Sequence, residues 1–425
     1  MRAANFPPLP MKITRVRTVL CTAPQKDIFM KARERRSAAF IVIETDTELT
    51  GLGETYAGYF VPELVPGVVE FYAPILVGES PLDIDVLCRR MFTAGKFWAR
   101  VGLGSIVQSG IESALLDLKG KALGVPVYEL LGGRCHDTVH CYATGGVSPH
   151  ARDELEGKVA QYLSLGFDAV KLGAGSYRLG HPVVASRTPQ EARDVEVEKV
   201  EFLMKRFGAS FQLNLDAHMD NLGEADHVWN LATAQFVLHA LEGYPIGFFE
   251  EALPYTDMRA YAALRASTTI PVAGGECLSS LEEWRDWLEH RPFALAQLDA
   301  SFMGGIMNFM KIARLCELQG VSIATHAWSA TPGVAANLHA AFASRNTSIV
   351  EFAAYSPNRP ALNTHVDAPL LTELWVEPPV LEHGRLRLAD TPGLGVRLPE
   401  GFCERYPFQP GSGEFNSVKG KVLTP

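Results

Sequence analysis

Residues 211–218 read FQLNLDAH, an apolar run that ends on an aspartate and reaches a histidine two positions later. Five further runs have the same build: IGFFEEAL (246–253), PVAGGEC (271–277), ALAQLDAS (294–301), VSIATHAW (321–328) and SIVEFAA (348–354). Each is short, apolar and bounded by loop residues, as a parallel strand buried on both faces should be. Their terminal polar residues are Asp216, Glu250, Glu276, Asp299, His326 and Glu351, separated by 34, 26, 23, 27 and 25 residues. That interval holds one strand, one helix and two loops. A series of polar side chains at this period converges on a single point, the C-terminal mouth of a β/α barrel.

Working outward, the strand-and-helix alternation begins at VHCYATGG (139–146). Strands are expected at 139–145, 168–172, 211–216, 247–251, 271–275, 294–299, 321–326 and 348–353, with amphipathic helices between them. Eight strands in this order predict a right-handed parallel TIM barrel. Before it, residues 12–20 and 38–46 alternate as antiparallel strands, joined by the polar, basic loop TAPQKDIFMKARERR. A second, Gly-rich loop, GLGETYAGYF, follows, and then three helical stretches; the last runs over 104–124 and stops at Gly-Val-Pro. The expected division is an α+β capping domain over 1–138, the barrel over 139–372 and a C-terminal segment, 373–425, that returns to the capping domain. Short strands are expected there at GRLRL and GVRL, and its last residues, poor in large apolar groups, read as a flexible tail. The stretch 176–190 exceeds an ordinary βα loop and is a candidate lid.

Composition narrows the partners. The chain has 425 residues, 47% hydrophobic and 20% charged, typical of a soluble globular protein. A net charge of −9 argues against nucleic-acid binding. No apolar stretch reaches the ~18 residues of a membrane span, and the N-terminus lacks the build of a signal peptide. The seven cysteines are scattered, with no C-x-x-C pair, which suits a reducing cytoplasm. Cys277 is expected to pack as a thiol facing away from the mouth.

Asp216, Glu250 and Glu276 end three successive strands. Their carboxylates cannot all stay ionised without a counter-charge, and hard oxygen ligands of this kind suit Mg²⁺. Such a cation would also let an acidic protein accept an anionic substrate. Asp299 and His326 end the next two strands, within hydrogen-bond reach. A carboxylate on one ring nitrogen fixes the tautomer and leaves the other nitrogen as a general base. Across the barrel, Lys171 in FDAVKLGAG can neutralise an anionic group, and Glu351 lies beneath the same mouth. His218, two residues after Asp216, should point the same way by strand alternation and can serve as a second acid or base. Glu54 in GLGETY is expected to cap a turn. Together these groups suit abstraction of the proton next to a carboxylate, followed by loss of a β-hydroxyl with a proton from His218 or His326: a dehydration.

At these residues the chain resembles the enolase superfamily, and within it the mandelate racemase subgroup, over about residues 11–400. The resemblance lies in SGIESALLDLKGKALGVPVYELLGG, GFDAVKL, LNLDAH, FFEEALP, AGGEC, QLDASFMGGI, ATHAW and VEF, in that order. It implies a modified (β/α)7β barrel with an α+β cap, Mg²⁺ on Asp216, Glu250 and Glu276, and an Asp299–His326 dyad as base. It also implies that cap loops near 22–36 and 51–60 set specificity, and that the protein is a homo-oligomer. Many members carry Lys-x-Lys on the second barrel strand, whereas this chain has Lys171-Leu172-Gly173, and glycine moves no proton. Racemisation of the mandelate type is therefore disfavoured. Asp216-Ala217-His218 resembles galactonate-type dehydratases; EEALPYTD and YSPNRPALN resemble rhamnonate-type ones. The expectation is a Mg²⁺-dependent acid sugar dehydratase yielding a 2-keto-3-deoxy acid. The alternatives are an epimerase or cycloisomerase on the same scaffold, or an idle member that only binds. Candidates for reading the sugar are Lys26, Lys31, Tyr56, Tyr59, Tyr177, His181 and Trp328.

Overall fold

The computed structural model describes residues 11–27, 35–145, 152–175, 188–208, 211–219 and 228–411. The expected lid lies mostly outside these, as do Lys31, Tyr177, His181 and the tail beyond 411. Strands Ile13–Pro24, Arg35–Thr45 and Thr50–Thr55 form an antiparallel sheet in chain order; helices Val65–Leu76 and Leu103–Leu123 pack on it, and Ile84–Gly95 packs on those two helices. The longest helix stops where its sequence said it should: Gly124 takes the left-handed conformation, φ 68°, and accepts the chain reversal before Pro126.

One expectation fails here. Residues 51–55, read as a Gly-rich loop, are the third strand of this sheet, and Ala57–Phe60 is a helical turn. The glycines serve packing rather than turning. A Cβ on Gly51 would sit 2.1 Å from the Ala114 carbonyl oxygen, and one on Gly53 would sit 2.2 Å from that of Gly110. The strand lies directly on the helix Leu103–Leu123, and only a residue without a side chain allows that approach.

The barrel strands are Val139–Thr144, Ala169–Gly173, Gln212–Asp216, Ile246–Glu250, Val272–Gly274, Leu295–Leu298, Ser322–Thr325 and Thr347–Ala353. All pair in parallel with their sequence neighbours, and the last closes onto the first through Val350–Cys141 to Ala353–Thr144. Among the described residues, seven helices connect the eight strands, so the barrel is (β/α)7β. Several start on a residue suited to the task. Thr188 forms a capping box with Glu191, and Asn230, Asp257 and Ser280 each accept a backbone N–H of the first turn.

The barrel floor is a small apolar layer of Tyr142, Ala169, Phe248, Ala273, Ala324 and Ile349. Strand alternation then fixes what stands above it. Two residues on from Ala169, Phe248, Ala324 and Ile349 come Lys171, Glu250, His326 and Glu351. The floor is dry and the next layer is charged.

The C-terminal segment touches both units. Val380–Glu382 and Arg385–Arg387 form a hairpin that adds antiparallel to the first barrel strand, while residue 407 bridges to Cys21 of the capping sheet. The expected strand at 395–398 is a single bridge, Trp375 to Val396. Among the described residues, no helix is long and apolar enough to cross a membrane.

Candidate active site

The mouth gathers the residues singled out from sequence. Lys171 Nζ stands 3.0 Å from Asp216 Oδ2, 2.9 Å from Glu250 Oε2 and 3.3 Å from Glu351 Oε1. Burial alone would lower the lysine pKa, but these three carboxylates raise it well above the ordinary value, so it stays charged. Glu351 also accepts the Ala327 N–H at 2.6 Å, one residue past His326. His326 Nδ1 lies 2.7 Å from Asp299 Oδ2, while its Nε2 is 3.8 Å from Glu276 Oε2 and so faces the acidic cleft. The other oxygen of Asp299 accepts from Ser301 N–H (2.7 Å), Ser301 O–H (2.6 Å) and Asn337 N–H (2.8 Å), which fix its plane. An acceptor held this way orients the histidine rather than being consumed by it.

His218 reaches the site by a different route from the one expected. The strand ends at Asp216, and His218 adopts φ 48°, a left-handed conformation uncommon outside glycine. The kink brings Nδ1 to 2.8 Å from Asp216 Oδ1. Strand alternation therefore does not place it; a strained turn does. Glu251 has φ 45° one residue past its own strand, and the two kinks are joined by backbone bonds from Ala217 to Glu250 (3.0 Å) and from Met219 to Glu251 (3.1 Å).

That turn also admits a group the sequence reading missed. Glu251 is fully buried, and both its oxygens, with Glu250 Oε1 and Asp216 Oδ1, meet no hydrogen-bond donor in good geometry. Among the described residues, two clusters have ligand atoms within 4.8 Å of one another: Asp216, His218 and Glu251; and Glu251, Glu276 and Cys277. Glu250, expected as a ligand with Asp216 and Glu276, pairs with Lys171 through Oε2, as Asp216 does, and keeps Oε1 without a donor. The only sign of Glu251 in the sequence was the doubled glutamate of FFEEAL, and alternation would have turned the second one outward. Cys277 likewise departs from expectation. The strand has already ended at Gly274, so the thiol is exposed beside Glu251 and Glu276 instead of facing away.

The electrostatics ask for a cation. Burial, then the neighbouring carboxylates, push Glu250 and Glu251 far above the usual carboxylate range. For His326 burial works downward, but Glu276, Asp299 and Glu351 more than offset it and lift the pKa to about 10. His218 is likewise raised to about 10, against its burial, by Asp216 and then Glu276 and Glu251. Beyond burial, the raised carboxylic acids and over-stabilised imidazolium ions share one cause, excess negative charge, and the orphaned buried oxygens lie among them. A divalent ion among Asp216, Glu250, Glu251 and Glu276 fits this donor set, and its charge would draw both histidines back toward neutrality.

The cap closes the site from above. Tyr56 meets the His326 ring edge-on, with centroids 5.4 Å apart, and stacks on Tyr59 at 5.2 Å. Trp328 Nε1 donates to the Tyr59 hydroxyl at 3.3 Å. Arg36 belongs to the stretch expected as a polar, basic loop. It is buried, lies over the Tyr59 ring at 4.5 Å and donates to the Trp328 carbonyl. Lys26 is exposed on a short strand paired with Val366–Asp367. Glu54 stands on the third cap strand rather than capping a turn. Its oxygens accept Ala330 N–H (2.8 Å) and Gly333 N–H (2.9 Å), at the start of the barrel helix Thr331–Phe342.

Fold and site together define a capped barrel whose mouth joins a cation-seeking carboxylate cluster to an Asp–His dyad. Residues 154–401 match the family model described as "Enolase C-terminal domain-like", and residues 12–132 match that of the mandelate racemase / muconate lactonizing enzyme N-terminal domain. The chain belongs to the enolase superfamily, in its mandelate racemase subgroup. It is 33% identical to a D-galactonate dehydratase of Ralstonia nicotianae, over 92% of this chain and 93% of that one. It is 34% identical to a D-galactonate dehydratase of Xanthomonas campestris pv. campestris, over 73% and 77%. Among solved structures it resembles an L-talarate dehydratase from Polaromonas sp. JS666 complexed with Mg and L-glucarate (TM-score 0.76, 28% identity, 94% of this chain and 98% of that). It also resembles the 3,6-anhydro-D-galactonate cycloisomerase from Zobellia galactanivorans (TM-score 0.77, 25% identity, 93% and 99%). The protein is an enzyme of this superfamily similar to acid sugar dehydratases.

Proposed function

We propose that the protein is a Mg²⁺-dependent hydro-lyase that removes water from a sugar acid to give a 2-keto-3-deoxy acid. The observation that carries the reading is the pairing of two histidines on one cleft: His326, oriented by Asp299, and His218, brought in by Asp216. No lysine stands two residues after Lys171 to compete for the second proton-transfer role. His326 Nε2 takes the proton next to the substrate carboxylate, with Asp299 holding Nδ1. His218 hands a proton to the departing β-hydroxyl. Lys171 and Glu351 border the carboxylate end, one supplying positive charge and the other an acceptor. Asp216, Glu250 and Glu276, with Glu251 beside them, would hold Mg²⁺, which supplies positive charge where the carboxylate becomes more negative. Tyr56, Tyr59, Trp328 and Arg36 form the roof that the sugar chain meets.

The test is a panel of hexonic, pentonic and aldaric acids, D-galactonate among them, with purified protein and Mg²⁺, read as 2-keto acid formed. Formation of a 2-keto-3-deoxy acid that stops on chelation of the metal supports the reading. The likeness to a cycloisomerase keeps a second reaction in view on the same residues. Solvent deuterium entering the α-carbon without loss of hydroxyl would move the assignment to epimerase or cycloisomerase.

A further inference from the structure

The end of the described chain lies against the first strand of the capping sheet, far in sequence from everything it touches. Cys21 and Pro407 form an antiparallel bridge. Thr22 N–H donates to the Tyr406 carbonyl at 3.3 Å, and Gln409 N–H donates to the Thr22 hydroxyl at 3.0 Å. From the adjacent strand, the Arg35 guanidinium donates to the Gln409 side chain. At the centre of this contact the sulfurs of Cys21 and Cys403 are 3.3 Å apart, across 382 residues of sequence. Both are free thiols. Cys21 is fully buried, and Cys403, on the short helix Phe402–Arg405, is half-buried.

A disulfide bond is about 2.05 Å long. The two sulfurs therefore have only about 1 Å to close, between backbones already fixed side by side by hydrogen bonds. We propose that Cys21 and Cys403 form a reversible disulfide that staples residues 402–411 to the capping sheet. The oxidant is a small-molecule disulfide. Cys403, the accessible member, attacks first as a thiolate: a bond forms between its sulfur and one sulfur of the oxidant, the oxidant's S–S bond breaks, and the released thiolate takes up a proton. Cys21 then loses its proton to solvent and attacks the Cys403 sulfur, and the second small thiolate leaves and is protonated. In balance, two protein thiols and one small disulfide become one protein disulfide and two small thiols. Burial, followed by the neighbouring Cys403, raises the Cys21 pKa, so Cys21 is the poorer nucleophile and the order starts at Cys403. The closed loop spans nearly the whole chain, the case in which a cross-link restricts the unfolded state most.

The experiment uses the full-length protein exposed to glutathione disulfide, alkylated under denaturing conditions and mapped by mass spectrometry. Expected are one cross-linked peptide pair joining Cys21 to Cys403, two fewer alkylated thiols than the seven of the chain, and a melting temperature raised by about 5 °C. Dithiothreitol should reverse all three, and Cys403→Ser should show none. Alkylation of both Cys21 and Cys403 after the exposed Cys135 and Cys277 have reacted would overturn the proposal. So would glutathione persisting on Cys403 as a stable mixed disulfide. A Cys21–Cys403 bond that leaves the melting temperature unmoved would overturn the staple.

Discussion

Two sets of buried carboxylates in this protein have opposite surroundings. At the seam between the cap and the rest of the chain, Glu54, Glu112 and Asp117 have their oxygens occupied by backbone N–H groups. Glu54 takes Ala330 and Gly333; Glu112 takes Ile306 (2.6 Å) and Met307 (2.9 Å) at the start of another barrel helix; Asp117 takes Leu52 and Leu394, both at 2.8 Å. At the mouth, much further along the chain, Asp216, Glu250 and Glu251 keep oxygens that meet no donor in good hydrogen-bond geometry. The seam carboxylates fasten elements together, since removing one strands two buried donors. The mouth carboxylates cost stability in the free protein, because like charges share a dry space. A satisfied carboxylate reads as structure, and an unsatisfied one as a place where something binds.

The largest expected effect falls at the mouth. His326→Asn should lower turnover by about a thousandfold while leaving Mg²⁺ affinity within a few-fold of wild type; near-normal turnover would remove His326 as the base. Next comes the seam. Glu54→Ala strands the N–H groups of Ala330 and Gly333 and should cost about 2–4 kcal/mol in chemical denaturation, with metal affinity unchanged. The comparison is put at most risk by Glu251→Gln. It should move the other way, stabilising the metal-free protein by about 1 kcal/mol while weakening Mg²⁺ binding, read by calorimetry, about tenfold. Destabilisation of the size seen for Glu54→Ala would mean that the two sets do not differ in kind.

The last effect is a pH dependence. Burial raises both Glu54 and Glu112 to about 7, from 4.5, against the pull of their backbone donors. A folded-state value above the unfolded one means the stabilising contribution is full below about pH 4.5 and is lost as pH rises through about 7. Replacing both with Gln should flatten the stability curve over that window. A slope unchanged by the double substitution would place the titration elsewhere.

Much of this could be read in the chain. The eight barrel strands fall within two residues of their expected bounds, because a strand buried on both faces must be apolar from end to end. Lys171, Glu250, His326 and Glu351 share the mouth because they stand on strands, or one residue past them, where a period of two still holds. The reading failed where that period stopped. Glu251, His218 and Cys277 all lie past a strand end, and two of them have positive φ. It failed again at Gly51 and Gly53, whose role is set by a helix some 60 residues further along the chain.

The sequence by itself determined the barrel, its cap and those groups at its mouth that stand on the strands, since periodicity and spacing are properties of the chain alone. Only the tertiary structure decided that Glu251 joins the acidic cluster, that Lys171 bridges three carboxylates and that Glu54 serves a distant helix. Those outcomes depend on backbone turns and on contacts between remote segments. A carboxylate's role follows from which donors fold up around it, and no local pattern records that.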